Sequence, residues 1–209
     1  ASHTHSAPDC YAFPDGRGGH TANLEWIDQV VHKAAEAIHE AEENARPAVL
    51  KVATDEARGR IAFNYYAPDL YDRRMGVIQA VGTDGTTIAT LVNYAIHPEV
   101  IGSGRGILSP DCIGPLVERI EREAGGVALF MNGAQGGMVT ADNRDLDAPS
   151  DPVRGYWKDI GTWEECQRVG HTMADEALRL LAEGEQDPAP QVEARCRDVT
   201  FPVDSRSEE

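Results

Sequence analysis

The run from Gly76 to Pro98 restricts the fold of this chain more than any other stretch. It reads Gly76-Val-Ile-Gln-Ala-Val81, then Asp84-Gly85, then Thr87-Ile-Ala-Thr-Leu-Val92. Asp-Gly supplies the positive φ angles that a tight turn demands, so two strands joined as a hairpin are expected here. The second strand continues through Asn93, Tyr94, Ala95 and Ile96 to His97-Pro98. Its nearly continuous apolar character predicts a strand covered on both faces. His97 falls where that strand ends, the usual position of a site residue in an α/β protein.

The remaining segments fit around that hairpin. Thr21 offers an N-cap to a helix whose apolar stripe is Leu24, Ile27, Val31, Ala34, Ile38 and Ala41, ending near Arg46-Pro47. His32 and His39 fall beside the stripe, at the expected edge of a core. Residues 49–52 and 61–63 read as short strands, and 64–74, with three tyrosines around Pro68, as a loop or lid. A Gly-rich loop at Gly102, Gly104 and Gly106 lacks a Walker lysine and opens no Rossmann unit, which argues against nucleotide binding. After Ser109-Pro110-Asp111, a helix is expected through Ile113, Leu116, Val117 and Ile120, stopped by Gly125-Gly126. Residues 127–131 read as a buried strand and 139–159 as an acidic loop.

Thr162-x-x-Glu165 is a capping box. The helix behind it packs through Cys166, Val169, Met173, Ala177 and Leu180, with His171 as a structural residue. Residues 192–203 alternate like a strand, and the acidic tail 204–209 is expected to fray. The fold class is therefore α/β, with mixed β-sheet layers flanked by helices. No repeat or second domain is evident over residues 1–209, and the chain reads as part of a larger catalytic domain.

Charge narrows the partners. The 35 acidic against 19 basic residues give a formal net charge of −16, the opposite of what a phosphate backbone attracts, so no nucleic-acid partner is expected. The four cysteines are scattered, without a C-x-x-C pair, so a zinc ribbon or thioredoxin-type site is not indicated. Buried free thiols are the ordinary reading, with one disulfide as the alternative. No apolar run reaches the roughly 20 residues that span a bilayer. The chain starts at Ala1, so the lack of a visible signal peptide says nothing about compartment.

Chemistry concentrates in the histidines. His3-Thr4-His5 is an H-x-H pair, and in an extended chain residues i and i+2 face the same way. Two imidazoles so placed suit a borderline-soft cation such as zinc. If His97 shares an ion with His3, the side-chain nitrogens of those two residues are expected roughly 3–4 Å apart, for bonds near 2.0–2.1 Å.

Three blocks together resemble the catalytic domain of the neutral, non-lysosomal ceramidase family: Ser2-His-Thr-His-Ser-Ala-Pro8, Asn93-Tyr-Ala-Ile-His-Pro98 and Phe130-Met-Asn-Gly-Ala-Gln-Gly136. Their order matches, as does Leu108-Ser-Pro-Asp111 before a helix. The resemblance implies a zinc amidase that cleaves the N-acyl bond of ceramide, or a related N-acyl substrate, to a fatty acid and a free amine. It implies His3 and His97 as zinc ligands and His5 as a substrate-contacting histidine beside the metal. Asn132 and Gly133 would lie in the reacting loop and offer backbone donors. Asp111 would be a supporting polar residue behind the ligands, with Tyr65 and Tyr66 as candidate substrate contacts and Tyr71 and Trp157 as further aromatics for an apolar groove. Membrane contact would come only through a lipid substrate, and the family suggests a secreted or periplasmic setting.

This chain also departs from the family. It has Gly136-Gly137-Met138 where relatives carry Gly-Asp-Val, and Tyr65-Tyr66 after Asn64 where many carry an arginine. The family's further ligands, a Glu and a Tyr, come from beyond the matched region and are expected outside this chain. A non-catalytic family member serving as a binding or scaffold module, and a hydrolase of soluble N-acyl amides, are the competing readings.

Overall fold

The hairpin forms the middle of a five-stranded sheet in the computed structural model, which describes residues 2–151, 156–187 and 189–202. The chain order is α1 (Leu24–Glu43), β1 (Ala48–Glu56), β2 (Ala62–Asn64), β3 (Arg74–Gly82), β4 (Thr87–Tyr94), α2 (Ile113–Ala124), β5 (Val127–Asn132), β6 (Val139–Ala141), β7 (Arg144–Asp151), β8 (Tyr156–Asp159), α3 (Trp163–Glu183) and β9 (Glu185–Asp187). The main sheet runs β5-β4-β3-β1-β9, with two-stranded pairs β2-β6 and β7-β8 beside it. This is the α/β class expected, a mixed sheet with flanking helices.

Strands β3 and β4 are antiparallel, while β4 and β5 are parallel and joined through α2. A parallel pair needs such a crossover, because its connection must return to the starting edge. Gly125 stops α2 at φ 74°, and Gly126 follows at φ 69°. A Cβ on Gly126 would lie 2.6 Å from the Ile88 carbonyl oxygen, so only glycine lets this turn pass β4. A turn forms at Asp84-Gly85, but only Gly85 is left-handed, at φ 82°, and the loop closes more widely than expected, the Gly82 N–H donating to the Thr86 carbonyl at 2.8 Å.

The core lies between one face of the sheet and helices α2 and α3. Met75, Val77, Val92 and Tyr94 from the strands meet Leu116, Ile120, Val169, Met173 and Ala177 from the helices, all buried. Gly170 makes the helix pair close: a Cβ there would lie 2.3 Å from the Cys112 carbonyl oxygen. The Thr162 side chain caps α3 by accepting the Glu165 N–H at 3.2 Å. Glu165 does not close a reciprocal box, and its carboxylate instead accepts from Arg168 at 2.6 and 2.8 Å.

Several expectations need correction. Helix α1 is present but capped by Asn23, whose side chain accepts the Trp26 N–H. None of its residues is buried, so its apolar stripe lies on no core, and His32 and His39 are exposed on an open helix. Strand β4 is covered on one face only: Thr90, Val92 and Tyr94 are buried and the alternate residues are half-buried. Strand β5 sits at the sheet edge and buries only Ala128. The acidic run is largely strand, as β6 and the irregular β7-β8 pair, rather than loop. Described residues 190–202 form no strand, since alternation builds nothing without a neighbour to complete the ladder.

The tail 204–209 expected to fray lies outside the described residues. Cys112 and Cys166 are buried free thiols as expected, while Cys10 and Cys196 are free and exposed. Among the described residues no helix is long and apolar enough to cross a membrane.

Candidate metal centre

Three imidazoles converge beyond the C-terminal ends of β4 and β5. The ring centroids of His3 and His97 are 4.8 Å apart, and His5 lies 5.4 Å from each. One nitrogen from each of the three falls within 4.8 Å of the others. Among the described residues, no other three His, Cys, Asp or Glu side chains converge in this way, the acidic run 142–151 included.

His97 is placed by β4, which carries the chain through buried Ala95 and Ile96 to the site. Its backbone N–H donates to the Val139 carbonyl at 3.0 Å, and its ring Nδ1 meets the same oxygen at 2.6 Å. A carbonyl has no proton to give, so the ring must donate. In the neutral form His97 is thus the Nδ1–H tautomer, with its lone pair on Nε2. An acceptor behind the ring, fixing which nitrogen faces the ligand, is a recurrent feature of histidines that bind metals.

The N-terminal segment reaches the same place without being a strand. His3 has φ 62°, a left-handed backbone that a residue with a Cβ rarely adopts. The facing of His3 and His5 therefore comes from this turn and not from strand alternation. The segment is pinned along its length. Asn132 Nδ2 donates to the Ser2 carbonyl at 3.0 Å, Thr4 Oγ1 to the Ser109 carbonyl at 2.7 Å, and His5 N to the Pro98 carbonyl at 3.2 Å. Buried Ser6 donates to the Gly102 carbonyl at 2.9 Å. Burial, followed by the neighbouring rings of His97 and His5, lowers the pKa of His3. A neutral imidazole is the form able to hold a cation.

No family model matches this sequence. No curated protein matches it either. Solved structures do. The crystal structure of neutral ceramidase from Pseudomonas aeruginosa matches with a TM-score of 0.61 at 18% identity, over 78% of this chain and 27% of that one. A ceramidase complexed with C2 matches with a TM-score of 0.53 at 19% identity, over 69% of this chain and 24% of that one. The fold is ceramidase-like. The chain spans about a quarter of the length of those two structures.

Within this ceramidase-like fold the other expected site residues separate into two groups. Asn132 and Asp111 act as braces. Asn132 also donates to the Ile96 carbonyl at 2.7 Å and accepts the Ile96 N–H at 3.2 Å, so its amide joins the ends of β4 and β5 to the N-terminal segment. Asp111 is buried and accepts N–H bonds from Val100, Ile101 and Cys112 at 3.1, 2.8 and 2.7 Å. It touches no histidine, and it fixes the backbone just after His97-Pro98-Glu99. Gly133 does not supply the free donor expected of it. Its N–H donates to the Tyr94 carbonyl at 2.8 Å, and a Cβ would lie 3.1 Å from the Ala95 nitrogen. Glycine is needed there for close packing.

Tyr65 lines a cleft of about 320 Å³ with Glu99, Met138, Thr140, Asn143 and Asp159. Tyr66 stands outside it, exposed, with its ring edge-on to Tyr65. The other aromatics expected in a groove are used elsewhere: the Tyr71 hydroxyl donates to the Ala62 carbonyl, and Trp157 packs under the Arg144 guanidinium.

Glu99 was not anticipated. Its Oε2 lies 2.7 Å from His5 Nδ1, with both side chains partly shielded. Across the cleft, burial and the charge of Glu99 raise the pKa of the Asp159 carboxyl. The available sequence signal was the position of Glu99 directly after His97-Pro98, a carboxylate beside a candidate ligand.

Proposed function

We propose that this chain carries the histidine half of a zinc-dependent amidase acting on N-acyl substrates of the ceramide kind. The observation that carries the reading is the convergence of His3, His5 and His97 from two distant segments. The donor set fits the metal: neutral imidazole nitrogens, one of them already oriented by a carbonyl behind the ring. His3 and His97 would hold the ion, with further ligands from outside these residues. Zinc in such a site supplies Lewis acidity toward an amide carbonyl and activates water at neutral pH.

The chain's own residues supply the rest. His97 is held rigid by Val139, which limits rearrangement when a substrate enters. His5, at the same opening, is placed to move a proton between the incoming water and the departing amine. Tyr65 and Met138 give the adjoining cleft an apolar wall on which an acyl chain can lie, and Asn143, Thr140, Glu99 and Asp159 give it a polar one. The ceramidase-like fold supports this assignment at the level of architecture.

Zinc titration of the chain against a competing chelator tests the reading. His3→Ala and His97→Ala should each lower zinc affinity by 100-fold or more, with folding checked by circular dichroism. Unchanged zinc binding in both variants would end it. In the complete protein, turnover of a panel of N-acyl amides, lipid and soluble, then assigns the substrate.

A further inference from the structure

We infer that Glu99 is a positioning residue that holds the His5 proton on Nδ1, so that His5 presents its Nε2 lone pair as a proton acceptor. The inference begins with the 2.7 Å contact between Glu99 Oε2 and His5 Nδ1. A carboxylate accepts and cannot donate, so the imidazole must carry its hydrogen on Nδ1. In the neutral ring the remaining nitrogen is then bare, as it is in a neutral His97, where the Val139 carbonyl plays the same part.

The backbone makes the contact reproducible. His97 N is tied to Val139, and Val100 N and Ile101 N are tied to buried Asp111, so Glu99 is bracketed on both sides by fixed residues. His5 is joined to the same segment by its own N–H, which donates to the Pro98 carbonyl at 3.2 Å. Carboxylate and ring are therefore held by adjacent backbone, and little side-chain freedom has to be lost to bring them together.

The chemical consequence separates two roles for His5. A neutral ring with Nε2 unprotonated cannot donate a hydrogen bond to a developing oxyanion from that atom. It can accept a proton from an attacking water, and the carboxylate behind it stabilises the imidazolium that results. The water oxygen bonds to the amide carbon, the C–N bond breaks with its electron pair leaving on nitrogen, and His5 returns the proton to that amine, which balances the step as hydrolysis to a carboxylic acid and an amine. This assignment of base and acid rests on the amidase reading, whereas the tautomer of His5 does not depend on it.

Long-range proton–nitrogen NMR of the metal-free chain, recorded above the ordinary imidazole titration range, is the test. His5→Gln identifies the His5 signals. The wild-type spectrum should show His5 protonated at Nδ1 and bare at Nε2. Glu99→Ala should move the proton to Nε2 in a large fraction of molecules, and Glu99→Gln, which keeps an acceptor oxygen, should restore the wild-type pattern. A wild-type His5 protonated at Nε2 would overturn the inference whatever the variants do. So would a Glu99→Ala chain, folded by its amide spectrum, with an unchanged tautomer. Loss of the zinc reading in the His3 and His97 variants would leave this result untouched, so the two can fail separately.

Discussion

The two faces of the main sheet differ in what covers them and hardly at all in composition. On the helix side, Met75, Val77, Val92 and Tyr94 are buried under α2 and α3. On the other side, Val52, Ile78, Leu91 and Leu129 form one cross-strand row, and Leu50, Ala80, Ala89 and Val127 form the next. Val52, Ile78, Leu129 and Val127 are 40–56% exposed. The helices repeat the contrast. α1 has 20 residues and α3 has 21, both with a helical apolar stripe, yet α3 buries nine of them and α1 none. Periodicity thus identifies which side of an element is apolar. Whether that side is covered depends on neighbours, which a local pattern does not contain.

The widest separation between covered and open regions should appear in thiol chemistry. Burial pushes the Cys166 thiol up to about 12 and raises Cys112 well above its usual range. Three units of pKa reduce the thiolate at a given pH by about 10³-fold, before any loss of access is counted. In the native chain, iodoacetamide at neutral pH should label Cys10 and Cys196 and spare Cys112 and Cys166, and denaturant should release all four. Labelling of Cys166 at the rate of Cys10 would mean that the helix side opens easily, and the comparison would fail.

Stability should divide along the same line by a smaller factor. Met173 is fully buried between α3 and the sheet, so Met173→Ala is expected to cost about 2–5 kcal/mol in urea unfolding, as core truncations do. Leu129, half-exposed on the open face, should cost at most about 1 kcal/mol when changed to Ala. Equal losses would show that the open face is covered in solution, by self-association or another partner, and sedimentation of the wild-type chain would identify which.

How much was legible follows from the same distinction. The hairpin, α2 and α3 could be read because turn residues, caps and spacing encode them locally, and so could the strand leading to His97, although β4 ends at Tyr94, three residues earlier than expected. The resemblance of three short blocks was enough to bring His3, His5 and His97 together. The left-handed backbone at His3 was hidden, since nothing in Ser-His-Thr-His marks a positive φ. Gly170 was hidden for a related reason: within a helix, glycine reads as a weak former, and its need for contact with Cys112 exists only once α2 is in place. Glu99 was one carboxylate among 35 acidic residues until the fold set it against His5. Alternation over residues 192–203 predicts a strand, but described residues 192–202 form none for want of a neighbour, which a local pattern does not show.

The smallest effect should come from the apolar stripe of α1, and it sharpens the comparison most. Ile38 belongs to that stripe at helical spacing and is 71% exposed. Ile38→Ala removes a mostly exposed β-branched side chain and replaces it with a better helix former. Stability of the chain should change by no more than about 0.5 kcal/mol in either direction, and helicity should hold or rise slightly. The same substitution at buried Leu180 of α3 should cost several times more, although both residues are aliphatic and both lie on the apolar stripe of a long helix. A loss at Ile38 comparable to that at Leu180 would mean that α1 docks on an apolar surface in solution, and the open sheet face would be the first place to look.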